Sequence, residues 1–545
     1  MTSRDRRRRR PTALVALVLA LFVPTLGLLV VPSPMSTVVS AASTGCQPGE
    51  DFALRDLVNA YRSAESGRAL PALPLSADLT QRAQVWASWL ASQQKLEHST
   101  VMWPAPPGVQ AWGENVAYAS AGLQSAQTTL QNSPAHRTVM LDGRWTEMGL
   151  GVARDARGWV YVVEVFAQRS VATPRYEPAT YEVVTPFEVF DSVGQVVGGT
   201  VRTIGIGGVG GVPSGATAAL ATIEAVGAVG RGFVQAVAPG GVVGTTSHLN
   251  VIDGAASNTV LIPLASDGTA RLYTSTTARL VVTVHGFTRP VTTAPRGGRF
   301  VALNPTRLLD TRTPVAIPAT VSKPAAGDLI EVQVSGRGGV PTSGVRAVVL
   351  NVVAAQTEGA GSVQVGAGAA MAASPTWRNL LVSRAGRTLA SLVVVPVDQS
   401  GRVALRATIA THFVVDVQGW FTDGTAASSY EGTYVSVPAS RYLDTRTAPI
   451  SSGTRQVGVA LRGSMPLCPS AVVGTVTVIP STSITYAQVG PWQQSVPGSV
   501  ASVNGDTAGA PVANTTMVRT GQSSALAVFT PTSAHVVLDL SGWFA

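Results

Sequence analysis

The sequence predicts two fold classes in one chain: an α+β domain over residues 46–169, then three all-β modules. The modules read as antiparallel and sandwich-like, at about 175–289, 299–422 and 433–545. Three observations carry this reading. Apolar residues recur at helical spacing before Ser170 and lose that period after it. Beyond that point Gly, Val, Thr and Ala dominate short apolar runs separated by turn residues. Those runs also repeat, because Pro305-Thr-Arg-Leu-Leu-Asp310-Thr-Arg312 returns as Ala439-Ser-Arg-Tyr-Leu-Asp444-Thr-Arg446.

The chain opens with Arg4 and Arg6 to Arg10, an apolar run over about 13–31, and small residues at Ser40-Ala41-Ala42. That order predicts a secretory signal peptide over 1–42, cleaved after Ala42. Pro24 and Pro32 interrupt the run, which argues against a signal anchor. No second long apolar run follows, so no membrane span is expected after cleavage. Removing 1–42 takes six arginines and Asp5. Lys+Arg then falls from 39 to 33 and Asp+Glu from 30 to 29, a net charge of +4 in place of +9. A charge that small and that dispersed excludes nucleic acid as an expected partner.

Within 46–169, Leu54, Leu57, Val58 and Tyr61 share a helical face that Gly67 ends. Ser76 or Asp78 caps a second helix, whose Leu79, Ala83, Trp86 and Leu90 align and which runs toward His98. Residues 113–117 read as extended. A third helix includes Leu123, Ala126 and Leu130, and Ser133-Pro134 starts a fourth. Residues 150–153 and 159–166 alternate as two strands joined by a turn at 155–158.

The later modules close on a shared pattern, His412-Phe-Val-Val-Asp416-Val-Gln-Gly419-Trp420-Phe and His535-Val-Val-Leu-Asp539-Leu-Ser-Gly542-Trp543-Phe. A divergent first copy opens at Pro186-Phe-Glu-Val-Phe-Asp191 and closes at Leu280-Val-Val-Thr283-Val-His-Gly286-Phe287. Residues 289–298 and 423–432 read as linkers, which makes the modules a row. Arg307 with Asp310, and Arg441 with Asp444, can offer a glycan or anion site. The simpler reading is a turn whose carboxylate accepts from its own neighbours. Asp416 and Asp539 precede a glycine and read as turn caps.

One candidate site stands out. Glu97-His98-Ser99, Ala111-Trp112-Gly113-Glu114-Asn115-Val116-Ala117 and Asn132-Ser133-Pro134-Ala135-His136-Arg137 bring two of the chain's six histidines to one glutamate motif. His98 is expected to end a helix. His136 falls on the first turn of the next, where the helix dipole disfavours imidazolium and keeps the ring able to ligate a cation. Two imidazoles and a carboxylate make a three-ligand set for Zn²⁺ or another divalent cation, with an open position. The alternative is that Glu114 and the histidines bond one another and simply hold the cleft.

These motifs, followed by Gly149-Leu-Gly-Val-Ala and Tyr161-Val-Val-Glu-Val-Phe, resemble the CAP superfamily in its bacterial form: cysteine-rich secretory proteins, antigen 5 and pathogenesis-related proteins. The resemblance covers about 46–169. It implies an α-β-α sandwich with a central cleft, lined here by His98, Glu114 and His136, where some members bind divalent metal. Two departures stand out: no acid lies in 128–133, and Leu130 replaces the usual aromatic. Glu164 occupies a position where bacterial relatives often carry glutamine. It can face the cleft as a replacement carboxylate, although a solvent-facing strand residue is the plainer reading. The modules resemble the Arg-Leu-Leu-Asp-Thr-Arg-type β repeats of exported actinobacterial proteins, commonly beside cell-wall enzymes.

Other chemistries are poorly supported. Ser92-Gln-Gln-Lys95 fits a serine-x-x-lysine pattern, yet no Lys-Thr-Gly follows, and the chain lacks G-x-S-x-G, C-x-x-C and H-E-x-x-H. Cys46 and Cys468 are the only cysteines. An exported pair can form a disulfide, but they fall in different domains, which argues against a bridge. The expected role is an extracellular binding module at the cell wall, meeting wall polysaccharide, lipid or a surface protein. A metal-dependent hydrolase and a structural surface protein are the alternatives.

Overall fold

The computed structural model describes residues 20–24, 45–65, 70–99, 104–171, 173–252, 254–313, 322–371, 376–482 and 484–545. They divide into two compact units, one of 1–47 with 54–173 and the other of 48–53 with 174–545. Most of the expected signal segment lies outside the described residues. Its residues Ala20–Pro24 form a short strand, β1. No helix among the described residues is long and apolar enough to cross a membrane.

The first unit is built on one sheet. Its strands include β2 (Leu75–Ser76), β3 (Val109–Ala119), β4 (Glu147–Arg154) and β5 (Val160–Arg169), in the order β1-β3-β5-β4-β2. Among the described residues four helices accompany it: α1 (Glu50–Glu65), α2 (Ala77–Gln93), α3 (Leu123–Asn132) and α4 (Pro134–Met140).

Alternation along β3 assigns its side chains to two faces. Trp112 and Val116 pack with Val163 and Val165 against Leu79, Ala83, Trp86 and Leu90 of α2, the stripe its spacing predicts. Gly149 and Gly151 make this possible. A Cβ added at Gly151 would sit 2.1 Å from the Ala83 carbonyl oxygen, so only glycine lets α2 lie this close to β4. The other face carries Gly113, whose added Cβ would meet Val139 of α4 at 2.9 Å, and Phe166, which stacks on Trp145. Helix α2 stops at Gln93 because Gln94 takes a left-handed conformation, φ 52°. His98 therefore lies in the irregular segment beyond the helix, not at its end.

Among the described residues the second unit holds five antiparallel sheets, four of four strands and one of eight. Strands Ala179–Asp191, Ala218–Val226, Ala255–Pro263 and Arg279–Pro290 of the first stretch make half of the eight-stranded sheet, and Tyr434–Asp444, Ala471–Pro480, Val512–Arg519 and Ala534–Phe544 of the third make the rest. The first and second stretches each bury a cluster of their own. A further cluster unites all three: Tyr181 and Leu220, Phe300 and Phe421, and Tyr434 and Phe544 are buried together. Such strands are buried on both faces. That explains the near-continuous apolar runs at 347–355 and 471–480, which a half-solvated strand would not show.

The stretches expected to stand as separate modules in a row thus share a buried core. Polar groups lock them together. Asn514 Nδ2 donates to Asn351 Oδ1 at 2.8 Å, and its own Oδ1 accepts from Leu392 N at 3.0 Å. Arg378 pairs with Glu224 at 2.6 Å. The reading against a bridge is also corrected, because both cysteines are disulfide-bonded.

Candidate functional site

The sheet brings His98 and Glu114 together. His98 Nδ1 lies 2.8 Å from Glu114 Oε1, and the same oxygen accepts the backbone N–H of Ser99 at 2.8 Å. Strand β3 buries Glu114 to 1% exposure, so its carboxylate has exchanged water for these two donors. His98 Nε2 and Glu114 Oε2 are buried without a hydrogen-bond partner.

Glu164 is fully buried, which corrects the solvent-facing reading. It pairs in register with Asn115 across β3 and β5, and Asn115 Nδ2 donates to its Oε2 at 2.9 Å. Asn115 Nδ2 also reaches the backbone carbonyl of His136 at 3.3 Å. Burial pushes the Glu164 carboxyl up to about 7, against hydrogen bonds from Asn115 and Gln127 that favour its charged form. His136 is buried on α4, and its Nδ1 lies 2.7 Å from Ser133 Oγ. Ser133 does precede the helix, but its hydroxyl serves the ring rather than capping the backbone.

The four predicted residues are therefore shared between two faces. His98 and Glu114 meet on the α2 face, while Glu164, through Asn115, meets the His136 backbone on the α4 face. Asn115 and Ser99 complete these contacts, as does Ser133, which was expected only to start a helix; none was among the candidate site residues. The register partner of Glu164 is the signal that points to Asn115. Among the described residues no group of three or more His, Cys, Asp or Glu side chains is placed to hold a metal ion, so no step here is routed through one.

Residues 55–166 match the family model CAP, the cysteine-rich secretory protein family. The chain carries a CAP domain. No curated protein matches the chain. Glu114, the glutamate of the CAP domain's Gly-Glu-Asn segment, holds the chain just beyond α2 by a side-chain and a backbone donor at once. That makes the 98–99 corner a fixed wall.

The second candidate, in the repeats, is self-contained. Asp310 accepts from the backbone N–H of Arg312 at 3.0 Å and pairs with its guanidinium at 2.8 Å. Asp444 does the same with Arg446, whose hydrogen bond holds that carboxyl well below the usual carboxylate range. Asp416 and Asp539 cap no turn. They lie within strands and pair with Arg307 at 2.9 Å and Arg441 at 2.7 Å. This network ties opening strand to closing strand in each of the two later repeats.

Proposed function

We propose that the protein is exported by the 1–42 segment and works at the cell envelope, with its CAP domain as a binding module carried on the β assembly. The bacterial character of the domain, its three-layer α-β-α arrangement and its kinship with exported actinobacterial β repeats belong to this reading. One observation carries it: the buried Glu114 carboxylate is bonded to His98 and to Ser99 N. A carboxylate committed to two structural donors builds a recognition wall; it does not activate a nucleophile. The test is retention of the full chain on purified cell wall. Retention that His98→Ala and Glu114→Ala weaken about tenfold supports the reading. Absence of retention, or retention indifferent to both changes, overturns it.

The second reading is a metal-dependent hydrolase in which His98 and Glu114, on the α2 face, hold Zn²⁺ or another divalent cation, while the expected third ligand, His136, lies on the α4 face. The buried, unpartnered His98 Nε2 and Glu114 Oε2 favour it. Elemental analysis of the purified chain and of its His98→Ala variant tests it. A structural surface protein with an inactive CAP domain is the third reading, supported by the shared core of residues 174–545. It predicts neither metal nor wall binding.

A further inference from the structure

We propose that the third β unit carries a binding subsite for a neutral saccharide, built on Trp492 and Phe529. The site lies on the sheet formed by strands Gly453–Gly458, Thr485–Pro491, Val503–Gly505 and Ala525–Thr530. A concavity of about 220 Å³ opens there, bounded by Trp492, Phe529, Gln493, Ser495 and Thr454 over Ala527. Both rings are partly exposed, and Gln493 and Thr454 are exposed.

Among the described residues, every side chain lining it is uncharged. An anion would find no cation there, and a wholly apolar ligand would strip water from amide and hydroxyl groups without replacing it. A sugar ring suits both halves of the surface. Its C–H face lies on an aromatic ring, and its hydroxyls donate to and accept from the glutamine, serine and threonine.

Comparison between repeats sharpens the point. In the first β stretch Gln235 accepts from Gly244 N at 2.6 Å and donates to Val242 O at 3.0 Å. In the third, Gln488 accepts from Gly498 N at 2.7 Å and donates to Val496 O at 2.9 Å. The two glutamines are thus equivalent. Five residues beyond them stand Gly240 with φ +70° and Gln493 with φ +61°. Glycine adopts that left-handed backbone freely, whereas glutamine is strained in it. One residue earlier, Pro239 occupies the place of Trp492. The first β stretch closes this turn without strain. The third puts a strained glutamine and a large ring at the rim of a concavity.

The inference uses residues 453–529 alone and stands apart from the CAP-domain reading. It is tested by titrating the full chain with chitotetraose, maltotetraose and arabinotetraose, read by calorimetry and tryptophan fluorescence. At least one tetramer should bind and shift the fluorescence. Trp492→Ala should weaken that binding by about tenfold or more. Gln493→Gly should weaken it about threefold while raising the melting temperature, a combination that a purely structural residue would not give. That second variant decides the matter should the first fail to fold. Binding of no tetramer, or binding that Gln493→Gly leaves intact, overturns the subsite. His98→Ala should leave tetramer binding unchanged. Loss of tetramer binding in that variant would sink the subsite on the third β unit, whereas loss of wall retention with tetramer binding intact bears on the CAP-domain reading alone.

Discussion

Glu114 and Asn115 are neighbours on one strand and serve opposite faces of its sheet. Glu114 holds His98 and Ser99, while Asn115 holds Glu164 and the backbone of His136. The two-residue repeat of a strand makes this division unavoidable. Substitutions at the two positions should accordingly fail in different ways.

Glu114→Ala leaves the Ser99 N–H and the His98 ring nitrogen without their acceptor. The expected cost is about 2 kcal/mol, typical of orphaned buried donors. Hydrogen exchange should show faster opening of the Ser99 amide with little change at residues 134–140. Uniform acceleration across both segments would mean that the faces are coupled.

Glu164 makes the first unit's stability depend on pH. Its folded-state value, raised from 4.5 to about 7, means that the folded chain keeps a proton the unfolded chain releases. Stability is therefore full below about 4.5, falls as pH rises toward 7 and is lowest above it, by on the order of 3 kcal/mol. Protection of β3 and β5 amides should be greater at the acidic end of that window. Glu164→Gln should flatten the profile, and an unchanged profile would assign the effect elsewhere.

The shared core predicts that residues 433–545 expressed alone will not melt cooperatively. Tyr434, Met517 and Phe544 would lose the partners that Phe300, Phe421 and Tyr181 provide. In the full chain, Phe544→Ala should cost about 4 kcal/mol. A cooperative transition in the isolated fragment would show that the core common to the three units is dispensable.

Gly542→Ala is expected to destabilise the second unit, since the added Cβ would stand 2.3 Å from the Tyr434 ring. Gly419 meets Phe300 and Gly286 meets Tyr181 in the same manner. Each substitution should cost about 3 kcal/mol by overpacking, measured as a lowered thermal midpoint. Replacing two of these glycines together should cost more than either change alone.

With both cysteines disulfide-bonded, the native, never-reduced protein should release no thiol to a colorimetric reagent until it is denatured and reduced. Reactive thiols in the native protein would contradict the bond.

Local signals determined much of this protein from sequence alone. The stripe Leu79, Ala83, Trp86, Leu90 fixed both the existence of α2 and its buried face, because an apolar period of 3.6 has one helical solution. The Arg-x-x-Asp-Thr-Arg segment, with its closing Gly-Trp-Phe strand, marked the two later β stretches and the self-satisfied Asp310 turn. Tertiary structure alone decided three other matters. Whether a buried strand packs on one face or two depends on what arrives from elsewhere in the chain, so the common core of Tyr181, Phe300 and Phe544 has no local signature. That neither cysteine is left as a free thiol is likewise written in no local signal. The partners of His98 and His136 were set by which face each neighbouring helix covers. Sequence spacing carries periodicity within an element, and it carries no information about which element lies opposite.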